Sequence, residues 1–76
     1  MRKAIVVQNH ITRAPHAVYY GRHFVKVENV EELPTIPGKG RLFSCLFKER
    51  AVIIWRHLYL DLWYMEEVHN ASKNVG

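Results

Sequence analysis

The chain has few of the features small proteins use for covalent or metal stapling. Cys45 is its one cysteine in 76 residues. That excludes an internal disulfide framework and any zinc finger built on cysteine pairs. Long hydrophobic runs are missing too. The longest, residues 51–55, stops at Arg56, far short of the ~20 residues a membrane-spanning helix needs. Near the start, Ala4-Ile5-Val6-Val7 follows Arg2-Lys3 but ends at Gln8, too short for the apolar core of a secretory signal. The expectation is a soluble, cytoplasmic protein with no membrane partner. Length also limits the protein to one small domain, expected over residues 1–70, with 71–76 a flexible tail.

Negative charge is missing from the first third. Residues 1–27 hold Arg2, Lys3, Arg13, Arg22 and Lys26, with His10, His16 and His23 and no acid. Glu28, Glu31 and Glu32 follow. Then come Lys39, Arg41, Lys48, Arg50 and Arg56 against Glu49, and finally Asp61, Glu66 and Glu67. The net charge is +4. An acid-free basic segment attracts polyanions, so nucleic acid or an acidic protein surface is the expected partner.

Turn chemistry divides the chain unevenly. Residues 3–9 are rich in β-branched side chains and read as a strand buried on both faces at 5–7, followed by a loop to Pro15. Residues 17–20 and 23–27 flank Gly21-Arg22, which suits a type II′ hairpin turn because glycine accepts positive φ at its first central position. Pro34, Pro37, Gly38 and Gly40 mark a connection over 29–40, with a single helical turn at 30–33 and a type II turn at Pro37-Gly38.

Residues 41–68 contain no Gly, Pro or Asn. Without turn residues, one long helix is the favoured reading. Ala51, Ile54, Trp55, Leu58, Tyr59, Leu62 and Met65 then share an arc, with Ser44 as N-cap and Asn70 as C-cap. The predicted fold class is therefore α+β: a small antiparallel sheet of about three strands, then one long C-terminal amphipathic helix. The alternative is a mostly-β small barrel. Val52, Ile53, Ile54, Trp55, Tyr59, Trp63 and Tyr64 favour strand, and a hairpin of 42–47 with 51–55, turning at Lys48-Glu49-Arg50, is the rival. A helix of about 25 residues spans roughly 38 Å and outruns a small sheet. A homodimer through that helix would cover its surplus, with Trp55, Tyr59 and Trp63 as protein-interface anchors.

Catalytic chemistry is thinly represented. The five histidines follow no metal-ligand spacing, so no metal and no cofactor is expected. Cys45 reads as a small buried hydrophobe. Tyr19 to Lys26 interleaves aromatics with cations, the pairing that stacks unpaired bases and holds phosphates. The expected activity is non-enzymatic nucleic-acid binding, to single strands or RNA. Its contact set is Arg13, Tyr20, Arg22, Phe24, Lys26, Lys39 and Arg41. Within that set, Gly38-Lys39-Gly40-Arg41 would place amides and cations at the helix start for a backbone phosphate. The alternative is a protein-binding inhibitor or adaptor of the kind mobile elements encode. A more remote one is a metal-independent toxin ribonuclease drawing on His10, His16, His23, Tyr19, Tyr20 and Arg22.

Overall fold

A computed structural model describes residues 2–68, and there the chain is all β. The strands are β1 (Arg2–Ala4), β2 (Val6–Gln8), β3 (Pro15–Tyr20), β4 (His23–Lys26), β5 (Glu28–Leu33), β6 (Lys39–Phe47), β7 (Arg50–His57) and β8 (Trp63–Glu67). They form a five-stranded sheet, order β1-β8-β7-β6-β5, and a three-stranded sheet, order β2-β3-β4. Every pairing is antiparallel.

Single residues join the sheets. Ile5 links β1 to β2, and its carbonyl accepts from the Tyr19 amide at 2.9 Å. Val27 links β4 to β5, and its amide donates to the His16 carbonyl at 3.0 Å. Each of these continuous runs lends one half to each sheet. The ladder therefore closes on itself as a small barrel, leaving only half-strand edges exposed.

The predicted α+β fold is overturned. Among the described residues there is no helix, and the segment expected to be one supplies β6, β7 and β8. The rival hairpin forms instead, with Phe47 opposite Arg50 and Leu46 opposite Ala51. Its turn residues Lys48 and Glu49 both take positive φ, 51° and 67°. That is the type I′ geometry, usually made by Asn-Gly, here adopted by two ordinary side chains. The second turn is made by His57, whose Nδ1 accepts from the amides of Tyr59 and Leu60 at 3.1 Å each. Neither device carries a turn-residue signature. Ser44 lies inside β6 rather than at a cap, and Asn70 lies outside the described residues.

Two smaller expectations also fail. The helical turn at 30–33 is part of β5, and the segment 5–7 is not buried on both faces, since Ile5 is 63% exposed. The type II′ hairpin at Gly21 (φ 69°) and the type II turn at Gly38 (φ 86°) are present. In the latter, the Lys39 amide donates to the Ile36 carbonyl.

The core follows period two. Phe43, Cys45 and Phe47 of β6 face inward with Val52 and Ile54 of β7, Trp63 and Met65 of β8, and Val18 and Val27. Cross-strand register lines up Phe43, Ile54 and Met65 in one row. A second apolar layer lies outside the five-stranded sheet. There Leu42, Trp55 and Tyr64 form a row, Trp55 and Tyr64 stack at 4.6 Å, and the Lys39 ammonium sits 4.6 Å from the Trp55 ring. Gly40 is required where β6 crosses close to β7, because a Cβ there would lie 2.9 Å from the Arg56 carbonyl oxygen.

Candidate nucleic-acid interface

Antiparallel register sorts side chains between the two faces of a sheet. In the three-stranded sheet, Val6, Val18 and Val25 share one row, and Val18 is fully buried. That row faces the core. The neighbouring rows face out. One holds Val7, Ala17 and Lys26; the other holds Ile5, Tyr19 and Phe24. Tyr19 and Phe24 meet edge to face with ring centroids 5.1 Å apart, and they are 43% and 50% exposed. Ile5 and Val7 extend the patch, Lys26 flanks Phe24, and Arg22 sits exposed in the hairpin turn.

No carboxylate occurs anywhere in residues 2–27. All seven acids of the chain fall in or between the strands of the five-stranded sheet. Within residues 28–68 and β1 they balance the cations Arg2, Lys3, Lys39, Arg41, Lys48, Arg50 and Arg56. The described excess of positive charge therefore belongs to Arg13, Arg22 and Lys26, on the three-stranded side.

The expected contact set is only partly brought together. Arg22, Phe24 and Lys26 lie on or beside the outer face. Tyr20 does not, since it alternates to the opposite side of β3 and meets the Phe47 ring at 5.4 Å. Its neighbour Tyr19 shares the face of Phe24, while both tyrosines are 43% exposed. Register alone distinguishes the two tyrosines, Tyr19 pairing with Phe24 and Tyr20 with His23, since burial along β3 does not alternate. Arg13 sits in the 9–14 loop, at the barrel's other end, with φ 66°.

Lys39 and Arg41 lie in the five-stranded sheet, and no helix start exists to hold a phosphate beside them. Arg41 is engaged structurally. Its Nε and Nη2 donate to both Glu32 carboxylate oxygens at 2.9 Å, its Nη1 donates to the Thr12 carbonyl at 3.1 Å, and its guanidinium lies over Phe43. Hydrogen bonding to Arg41 holds the Glu32 carboxyl below its ordinary range, and the same bond raises Arg41. This fork ties the 9–14 loop across one barrel end.

The three anchor residues are separated as well. Trp63 is in the core, Trp55 is buried on the outside of the five-stranded sheet, and Tyr59 stands 85% exposed in the β7–β8 loop. The helix that would have carried a dimer is not formed. The histidines do not assemble either. His10 is in the loop at one barrel end and His23 is at the β3–β4 turn of the other. Among the described residues no three His, Cys, Asp or Glu side chains converge as a metal site. No helix there is long and apolar enough to cross a membrane. Burial pushes the Cys45 thiol up to about 11, the protonation state of an inert core residue.

Comparison with protein-family models, with curated proteins and with solved structures finds no match to this chain.

Proposed function

We propose that the protein binds single-stranded nucleic acid, without catalysis, on the outer face of β2-β3-β4. The observation that supports this reading is the exposed Tyr19–Phe24 pair on three strands and a hairpin turn that carry cations and no acid. Aromatic faces stack on unpaired bases, and the stacking tolerates any sequence because every base has a π face. Arg22 and Lys26 stand where a backbone beside those bases would place phosphates. A duplex hides its bases, so single strands suit this surface better.

The test is fluorescence anisotropy with a labelled single-stranded oligonucleotide, first at about 50 mM salt and then at about 200 mM. Two cation–phosphate contacts give a log–log salt slope of about −1.4, hence a loss of roughly sevenfold between the two conditions. Absence of binding at the lower salt, to single and double strands alike, rejects the proposal. A second reading rests on a different feature, the run Leu58-Tyr59-Leu60 exposed in the β7–β8 loop. Apolar loop residues of this kind anchor protein partners. Binding of a protein that survives high salt and is lost in Tyr59→Ala would favour it.

A further inference from the structure

The barrel's two ends differ. The 9–14 loop and the Arg41–Glu32 fork cross one end. At the other end lies an open cavity of about 620 Å³, whose lining includes the apolar or aromatic Tyr20, Phe47, Val52 and Met65 and the charged Arg2, Lys48, Arg50, Glu66 and Glu67. That volume is in the usual range for small-molecule sites, about 300–1,000 Å³.

Register explains the cavity's chemistry. Arg2 pairs with Met65, Glu67 with Val52, and Arg50 with Phe47, so each charged residue occupies a position of the inward-facing set. A simple core would place apolar side chains there. The floor is apolar, since Phe47, Val52 and Met65 are buried. Arg50 is already matched to Glu67 at 3.3 Å. Arg2 and Lys48 take part in none of the three ion pairs among the described residues. Lys48 is held over the Tyr20 ring, 5.2 Å from its centroid. Two uncommitted cations above an aromatic and apolar floor suit a planar ring bearing a dianion.

We propose that this cavity is a mononucleotide site, taking the phosphate between Arg2 and Lys48 and the base against Tyr20, Phe47 and Met65. It does not depend on the outer face of the three-stranded sheet, because Tyr19 and Tyr20 point to opposite sides of β3. The ligand chemistry has two sources, a free nucleotide or the 5′-phosphorylated end of a strand.

The experiment is an amide and methyl NMR titration of the full chain with adenosine 5′-monophosphate up to about 5 mM. Adenosine alone and inorganic phosphate alone are run beside it. Saturable shifts are expected at Arg2, Tyr20, Lys48 and Met65, with each fragment at least about tenfold weaker because it lacks half the contacts. Arg2→Gln and Lys48→Asn should each weaken the nucleotide about fivefold or more, Asn being chosen because it accepts the left-handed turn. Phe24→Ala should leave this binding unchanged. A 5′-phosphorylated oligonucleotide that shifts the same residues, where its 5′-hydroxyl counterpart does not, identifies a strand end as the source. Shifts from the free nucleotide alone identify the small molecule. No shift at these residues, or shifts undiminished in the Arg2→Gln/Lys48→Asn double variant, overturns the proposal. Either result leaves binding on the outer face to be read separately from Phe24→Ala.

Discussion

On the three-stranded sheet the outward rows are Ile5–Tyr19–Phe24 and Val7–Ala17–Lys26. On the five-stranded sheet they are Leu33–Leu42–Trp55–Tyr64–Lys3 and Glu31–Ser44–Ile53–Glu66. Both outsides are apolar in part, yet they are treated differently. Over the five-stranded sheet the large side chains cover one another, so that Leu42 and Trp55 are 7% and 6% exposed. The three ion pairs among the described residues also join residues of this sheet and its loops, in the rows that turn inward at the barrel ends rather than on the outside. Over the three-stranded sheet the aromatic pair stays open and no acid answers the cations. Exposed apolar surface contributes little to folding, so this open pair is where the proposed single-strand contact would fall. The same core thus supports one self-satisfied outside and one unsatisfied outside.

The comparison breaks most sharply at the core shared by both sheets. Ile54 is fully buried on β7 between Phe43 and Met65. Ile54→Ala should cost about 2–5 kcal/mol through lost burial and a residual cavity. In a 76-residue chain that is a large part of the total stability. Urea unfolding followed by tryptophan fluorescence reads it directly. Tyr19→Ala and Phe24→Ala should do the reverse. Each is expected to change stability by about 0.5 kcal/mol or less while removing about 1–3 kcal/mol of single-strand affinity. If Phe24→Ala destabilises as much as a core substitution, the outer face is structural and the contrast between the sheets fails.

What could be read in advance follows the same division. On the three-stranded side Gly21 announced the hairpin, whereas the burial expected on both faces at 5–7 is not found. Tyr20, the expected contact residue, lies on the opposite side of β3 from Phe24, and Tyr19 shares Phe24's face. The five-stranded side was not legible, for two physical reasons. β7 is covered on both faces, Val52 and Ile54 by the core and Trp55 by Lys39 and Tyr64. The result is a continuous apolar run in which no period stands out. Its two turns also avoid glycine. Lys48 and Glu49 are driven into left-handed geometry by the strands they join, and a histidine side chain does the work of a turn residue. Absence of turn signals was therefore weak evidence for a helix.

That strain yields the next test. Lys48 and Glu49 both hold positive φ, at a cost of roughly 1–2 kcal/mol per residue for an ordinary side chain. Replacing them by Asn-Gly should stabilise the barrel by about 1 kcal/mol or more, seen as a higher urea midpoint with an unchanged slope. A neutral or destabilising result would mean that the Lys48 contact over Tyr20 offsets the backbone strain. Cys45 sharpens the description of the core without altering its stability. With its thiol raised to about 11, its thiolate fraction at pH 8 falls about a hundredfold below that of an unperturbed cysteine, and alkylation of the native protein should slow accordingly. The sign for stability is also set. The buried thiol favours folding fully below the ordinary thiol range, and that contribution is lost as pH rises toward 11.

The smallest expected effect is at His57, and it isolates a single acceptor. Imidazole Nδ1 accepts two amide hydrogens only when it carries no proton, so the loop requires the neutral ring protonated at Nε2. His57→Ala removes the acceptor and leaves the Tyr59 and Leu60 amides to water. Because this loop is exposed, the global loss should stay below about 1 kcal/mol. Hydrogen exchange should respond more clearly, with protection falling at Tyr59 and Leu60 and unchanged at Ile54. His57→Asn supplies an oxygen near the same position and should restore most of that protection. If protection at the two amides is indifferent to both substitutions, the β3–β4 and β7–β8 turns no longer differ in kind. The latter would then be held by its strands alone.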